Sequence, residues 1–292
     1  MSSGNSSRGK LPPWIRIRVN CGSAREEVAA ILSGLKLNTV CASAQCPNLN
    51  ECWHKRTATF MILGNECTRN CRFCAVNHSP CPLPPDPDEP EHVAVAAAQM
   101  KLKFVVVTSV TRDDLPDGGA EHFAATIRAL HKHLPEAGVE VLTPDFNENR
   151  EHLNIVLDAH PTVFNHNIET VERLAAQIRN KATYRRSLKV LAMASEYGGI
   201  PVKSGLMVGL GETDEEVVQA LRDLRDAGVT VLTIGQYLPP SGQHWKLDRY
   251  VEPEKFAEWG KLAADLGFES IASAPLVRSS YHAGELIKFA RA

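Results

Sequence analysis

Nowhere in its 292 positions does the chain carry a run of eighteen apolar residues, so no segment is long enough to span a bilayer as a helix. It has no excess of either charge: 32 basic against 34 acidic side chains leave a net charge of −2. That balance excludes a protein built chiefly to coat nucleic acid, whose footprint would be strongly basic. The opening MSSGNSSRGK has no apolar stretch, so a secretory signal is not expected and a cytoplasmic location is. No G-x-G-x-x-G occurs; the glycines between Gly205 and Glu212 lack that order and make no dinucleotide fingerprint. His122, His131 and His133 are spaced by nine and two, which forms no metal-binding pair. Acidic residues are missing before Glu26, whereas Arg8, Lys10, Arg16, Arg18 and Arg25 are present. This start reads as a solvated basic tail or as an arm that docks on an acidic partner.

What is present begins with enough core: 43 % apolar residues at this length suit one large α/β barrel of roughly 250 residues plus appendages. Short β-branched runs at 57–63, 104–108, 139–142, 162–164, 201–208 and 229–234 alternate with helix-like stretches at 91–100, 120–133, 169–178, 188–197, 214–227 and 253–266. Strand and helix in alternation predict βαβ units and a parallel sheet. The unbroken Phe-Val-Val-Val at 104–107 fits strands buried on both faces. Periodicity alone leaves open a partial barrel or an open doubly wound sheet. Pro80, Pro82, Pro84, Pro85, Pro87 and Pro90 make a stiff extended connector. The expected organisation is an N-terminal extension at 1–55, a core at 56–267 and a C-terminal segment at 268–292.

Eight cysteines are present, and six of them lie between Cys41 and Cys74. They form two triplets, Cys41-x4-Cys46-x5-Cys52 and Cys67-x3-Cys71-x2-Cys74. The second follows directly on the first expected strand, in the kind of loop where barrels place their chemistry. Three thiolates without a close fourth partner suit a cubane iron–sulfur cluster that keeps one iron open. A structural zinc would want four ligands; His78, four residues after Cys74, is the candidate for completing one. Disulfides are the remaining option, against which stands the reducing compartment expected for a chain without an export signal. Two iron–sulfur clusters are the best chemical reading. Cys21 and Cys81 receive no role.

At this point the residues match a known pattern. Cys67-x3-Cys71-x2-Cys74, with Phe73 before its last cysteine, resembles the cluster loop of the radical S-adenosylmethionine superfamily. VTRDDLPDGGA at 110–120 is similar to the segment that holds the amino group of S-adenosylmethionine in those enzymes, and Gly205 to Glu212 to the one packed near its adenine. Adding Cys41, Cys46 and Cys52, the segments FNHNIETV and GQYLPPS, and Arg278-Ser-Ser-Tyr-His-Ala narrows the resemblance to the lipoyl synthases, from about residue 15 to residue 283.

The resemblance implies an α/β fold, a partial (β/α)6 TIM-type barrel with N-terminal and C-terminal extensions. It implies two 4Fe-4S clusters. The one on Cys67, Cys71 and Cys74 would bind S-adenosylmethionine and generate a 5′-deoxyadenosyl radical. The one on Cys41, Cys46 and Cys52, closed by Ser279, would donate sulfur. S-adenosylmethionine contacts fall on Phe73, Asp117, Gly118, Gly119, Asn165 and Asn167. The implied reaction inserts two sulfur atoms, at C6 and C8, into the octanoyl chain of an octanoyl-lysyl carrier, with two S-adenosylmethionine cleaved. The carriers would be the lipoyl domains of 2-oxo acid dehydrogenase E2 or the glycine cleavage H protein. An electron donor such as ferredoxin or flavodoxin is implied; nucleic acid and membrane are not. The sequence departs from the family after His78, where Ser79 and Pro80 stand in place of a glycine and a basic residue.

Overall fold

A computed structural model describes residues 11–15, 23–55 and 57–290. Arg8, Lys10, Arg16, Arg18 and Cys21 lie outside the described residues. The chain enters through α1 (Ser23–Gly34), β1 (Asn38–Thr39), α2 (Val40–Ser43) and α3 (Leu49–His54). Next come β2 (Thr59–Ile62), the two-residue strands β3 (Glu66–Cys67) and β4 (Asn77–His78), α4 (Glu89–Gln99) and β5 (Phe104–Ser109). Alternation then continues through α5 (Ala120–His133), β6 (Gly138–Leu142), α6 (Arg150–Leu157), β7 (Val163–Asn165), α7 (Glu172–Ile178), α8 (Tyr184–Tyr197) and β8 (Val202–Val208). It closes with α9 (Asp214–Asp226), β9 (Val231–Gln236), α10 (Pro253–Asp265), β10 (Ser270–Ser273) and α11 (Ala283–Ala290).

These elements form where local chemistry favours them. Helix α5 buries Phe123, Ala124, Ile127 and Leu130, a one-sided spacing that matches the helical repeat. Helix α9 starts in a capping box, the Thr213 hydroxyl accepting from Glu216 N–H while the Glu216 carboxylate accepts from Thr213 N–H. Strands β2 and β9 are buried at every position, as expected for a parallel sheet covered on both faces.

The main sheet runs β1-β2-β5-β6-β7-β8-β9-β10. Only the β1–β2 pairing is antiparallel; β2 and the six strands that follow it pair in parallel. The sequence pattern gave six strands. The seventh parallel one, β10, is four residues long, its sequence is Ser-Ile-Ala-Ser and only Ser270 is fully buried, so it lacks the apolar run that marks the others.

The sheet is curled. Phe104, Val163 and Val231, the first residues of β5, β7 and β9, gather in one small apolar cluster with Ile287 of α11. Strands lie about 4.8 Å apart, so β5 and β9, four places apart, would stand roughly 19 Å from each other in a flat sheet. A cluster this small holds residues of both only if the strands wrap around it. Helix α11 therefore stops the end at which the strands begin, while their carboxyl ends remain open above.

Candidate active site

The chain leaves β2 into the loop that carries Cys67, Cys71 and Cys74. Arg69 pins that loop. Its guanidinium donates from Nε and Nη2 to Asp113 at 2.9 and 2.8 Å, and from Nη1 and Nη2 to Asp145 at 3.0 and 2.7 Å. Burial raises the Asp145 carboxyl, but the Arg69 hydrogen bonds and charge outweigh it and hold the group down at about 2. Cys67 Sγ accepts from the backbone N–H of Arg69 and of Thr111 at 3.4 and 3.3 Å, and Cys71 Sγ from Asn180 N–H at 3.3 Å. Behind the loop, Trp245 N–H donates to Arg72 O at 2.7 Å, and His244 Nε2 lies 3.1 Å from Cys74 O. These contacts fix the thiols before anything binds them.

The first triplet is built on two short helices. Thr39 caps α2 through its hydroxyl and presents the buried Cys41; Cys46 follows, and Cys52 sits on α3. Two side chains stitch this region to the far end of the chain: Asn48 Nδ2 donates to Leu276 O at 2.8 Å, and Tyr281 Oη to Glu51 Oε1 at 3.2 Å. That places the segment Arg278-Ser279-Ser280 beside Cys46. Ser279 Oγ lies 2.7 and 2.9 Å from the Asn167 amide nitrogen and oxygen. A Cβ on Gly205 of β8 would come within 3.2 Å of Ser279 Oγ and 2.3 Å of Thr233 Oγ1, so glycine there leaves room for the pair.

Residues of both triplets face one cavity of about 1010 Å³ at the carboxyl ends of the strands, its wall including Cys41, Cys46, Cys67, Cys71, Cys74 and Ser279. Cys52 is not on that wall but neighbours the other two, for burial and then the charges of Cys41 and Cys46 push its thiol up to about 12. Burial likewise raises Cys41 and Cys71 and takes Cys74 to about 12. Thiols held up by burial lose their protons readily only to a metal. Among the described residues no group of three or more His, Cys, Asp or Glu side chains is arranged to hold one metal ion. His78, the candidate fourth zinc ligand, places Nδ1 3.0 Å from Cys67 O. Triplets ringing a roomy cavity fit a multi-iron body, whose ligands stand farther apart than those of a single ion. The donor set, soft sulfur with backbone N–H groups aimed at it, fits a cluster as well.

Of the other expected contacts, Phe73 and Asn167 line the cavity. Asp117, Gly118 and Gly119 do not: Asp117 accepts from Gly119 N–H at 3.0 Å and Glu121 N–H at 2.8 Å, opening α5. Gly118 and Gly119 take φ of 62° and 91° there, the left-handed region that favours glycine. Asn165 is turned into the barrel, where its amide donates to Glu140 Oε1 at 2.8 Å beside the fully buried Lys203–Glu140 ion pair. Sequence reasoning did not single out His166, Glu169, Arg179 and Arg278 as site residues, yet all four line the cavity. His166 and Glu169 belong to the quoted FNHNIETV, and Arg278 to the quoted RSSY. Arg179 carried no signal, since a lone arginine after a helix is unremarkable in sequence. His166 is kept neutral: burial, then the charges of Arg179 and Arg69, lower it to about 4.

The arrangement, a parallel partial barrel with a three-cysteine loop after its first parallel strand, defines the radical S-adenosylmethionine class. The family model described as Radical SAM superfamily matches residues 61–224. Among solved structures, methylornithine synthase superposes with a TM-score of 0.59 at 14 % identity, over 86 % of this chain and 76 % of that one. A maturase of the FeFe-hydrogenase gives 0.60 at 14 % identity, over 85 % and 63 %. At such identity these neighbours speak for the fold alone. Sequence relatives go further. A lipoyl synthase of Rubrobacter xylanophilus is 53 % identical over 96 % of this chain and 87 % of its own length. One of Caldanaerobacter subterraneus is 53 % identical over 97 % and 99 %. The chain belongs to the lipoyl synthase family, and it is a radical S-adenosylmethionine sulfurtransferase. Superfamily membership brings S-adenosylmethionine and a 4Fe-4S cluster as cofactors. No described helix is long and apolar enough to cross a membrane.

Proposed function

We propose that the chain inserts two sulfur atoms, at C6 and C8, into an octanoyl group amide-linked to a lysine of a lipoyl carrier domain. The observation that carries this reading is the convergence on one cavity of Cys67, Cys71 and Cys74, of Cys41 and Cys46 from the other triplet, and of Ser279. One triplet would suffice to bind S-adenosylmethionine; a second beside it calls for another use of iron and sulfur. When bound, S-adenosylmethionine and the cluster on Cys67, Cys71 and Cys74 supply abstraction of hydrogen from an unactivated C–H bond, chemistry that belongs to the cofactor.

The protein's share is to hold and orient. Arg69, clamped between Asp113 and Asp145, fixes the loop of the second triplet. Cys41, Cys46 and Cys52 are assigned to an auxiliary, sulfur-giving cluster, with Ser279 as its fourth ligand. An alkoxide is a hard ligand for a soft cluster, which suits a site that must open. Asn167, bonded to Ser279, steadies that hydroxyl from the other side of the cavity. Phe73 and Asn167 are assigned to S-adenosylmethionine directly. Asp117, Gly118 and Gly119 serve it through the turn they shape, and Asn165 through the strand it anchors. The domain boundaries at 55 and 267 are kept as functional divisions, since the first triplet lies before the barrel and Ser279 after it. Lipoyl domains of 2-oxo acid dehydrogenase E2 and the glycine cleavage H protein are the proposed carriers, and a ferredoxin or flavodoxin the proposed donor.

The test is an anaerobic incubation of the iron- and sulfide-loaded chain with an octanoyl-lysyl peptide, a one-electron reductant and S-adenosylmethionine. The expected product gains two sulfur atoms by mass. Ser279→Cys should still assemble its cluster and lose most sulfur insertion. Cleavage of S-adenosylmethionine without sulfur gain by the unaltered protein would refute the proposal.

A further inference from the structure

The fully buried arginines among the described residues are paired. Arg69 meets Asp113 and Asp145, and Arg112 meets Asp114. Two half-buried arginines on the cavity wall, Arg179 and Arg278, have no carboxylate within ion-pair distance among the described residues. They differ in their surroundings. Arg179 stands in the field of Glu169 and Asp145, and its Nη1 donates to Ser187 Oγ at 2.8 Å. Among the described residues, no acid lies in the field of Arg278. Its Nη1 donates to the carbonyls of Val277 and Pro275, at 2.6 and 3.4 Å, and the remaining guanidinium donors make no bond among the described residues. Among the described residues, the titratable neighbour that favours its charge is Cys46. Even half-burying a guanidinium without a counter-charge costs solvation, and this one lines the cavity, so the cation is placed for an anion that enters there.

The same turn positions that cation and Ser279, one residue on. Gly235 of β9 lies against it: a Cβ there would meet Val277 O at 2.1 Å and Arg278 Nη1 at 3.3 Å. The guanidinium thus lies between a strand and the first cysteine triplet, held to its own turn by the carbonyls of Val277 and Pro275. A cluster held by three thiolates and an alkoxide is the anion that fits: its net charge is negative, and it would occupy the space next to Cys46. We propose that Arg278 is the counter-cation of the cluster assigned to Cys41, Cys46, Cys52 and Ser279, a positioning residue that retains this cluster and raises its reduction potential. This rests on the auxiliary-cluster reading above. The sign follows from electrostatics, since an added electron is more stable next to a fixed positive charge.

The test uses the full chain with Cys67, Cys71 and Cys74 replaced by Ala, so that only the first triplet can bind iron. This parent, its Arg278→Gln variant and its Arg278→Lys variant are loaded anaerobically with iron and sulfide. Iron and sulfide content and the midpoint potential by spectroscopic redox titration are then compared. Arg278→Gln should show a more negative midpoint, a lower iron content, or both, and Arg278→Lys should restore most of the difference. A Gln variant with full iron and the parent's midpoint would overturn the proposal. So would a Lys variant as impaired as Gln, because shape rather than charge would then matter. A parent that binds no cluster would overturn the auxiliary-cluster reading itself, and this inference with it.

Discussion

Two buried side chains near the cysteine loop make the fold sensitive to acid in separable steps. His166 is neutral in the fold, its pKa lowered from 6.5 to about 4 by burial and by Arg179 and Arg69. The unfolded chain takes up that proton first, so stability is full above pH 6.5 and falls as pH drops toward 4, by about 3 kcal/mol in all. Asp145 acts lower down. Arg69 holds it at about 2 against an ordinary 3.8, so its contribution is present above 3.8 and is lost as pH falls through 2. Urea unfolding across pH should therefore show a decline between 6.5 and 4 that His166→Gln flattens, with the steeper loss below 4 intact. Asp145→Asn should remove that lower slope and cost about 2–3 kcal/mol at pH 7, near the low end for breaking a buried pair because Asp113 still engages Arg69. An unchanged slope between 6.5 and 4 in His166→Gln would contradict the neutral-histidine assignment.

Among the elements, β8 and β9 do more than form sheet. Gly205 and Gly235 remove side chains where the C-terminal segment must lie against them. A Cβ on Gly235 would meet backbone, the Val277 carbonyl at 2.1 Å, whereas one on Gly205 meets first a rotatable hydroxyl, Thr233 Oγ1, at 2.3 Å. Backbone yields less than a rotor. Gly235→Ala should therefore destabilise the protein by about 1–3 kcal/mol through overpacking and open residues 274–282 to proteases; Gly205→Ala should cost less and leave that segment protected. Equal unfolding midpoints and digestion patterns for Gly235→Ala and the unaltered chain would show that the segment does not depend on this notch. The sequence displayed the strands through their apolar runs, and the helices 120–133 and 253–265 through their spacing, nearly to the residue. It hid α6 and β10 because neither has a long one-sided pattern, and it hid the notches because a glycine in a strand does not reveal what packs over it.

At the scale of the whole molecule, the site depends on the two ends of the chain meeting across the barrel. The cysteines and Ser279 were legible in sequence as a pattern, but their convergence is not: it rests on Asn48 reaching Leu276 and Tyr281 reaching Glu51, pairs more than two hundred residues apart. Nor is it local spacing that holds the C-terminal segment down. After Ser279 the chain passes to α11, whose Ile287 is 4 % exposed and stops the barrel against Val163, Val231 and Phe104. The cation at Arg278, the hydroxyl at Ser279 and this stopper belong to one continuous stretch, fixed at one end by the Val277 contact and at the other by Ile287. Ile287→Ala should thus cost about 2–4 kcal/mol, the range for a truncated core isoleucine, and its effect should reach beyond its own contacts. Native-state hydrogen exchange is expected to rise not only in α11 but back through residues 277–282, because their anchor has been released. Exchange confined to α11, with 277–282 as protected as before, would mean that the ties at Asn48, Asn167, Val277 and Tyr281 hold Ser279 in the cavity wall without α11.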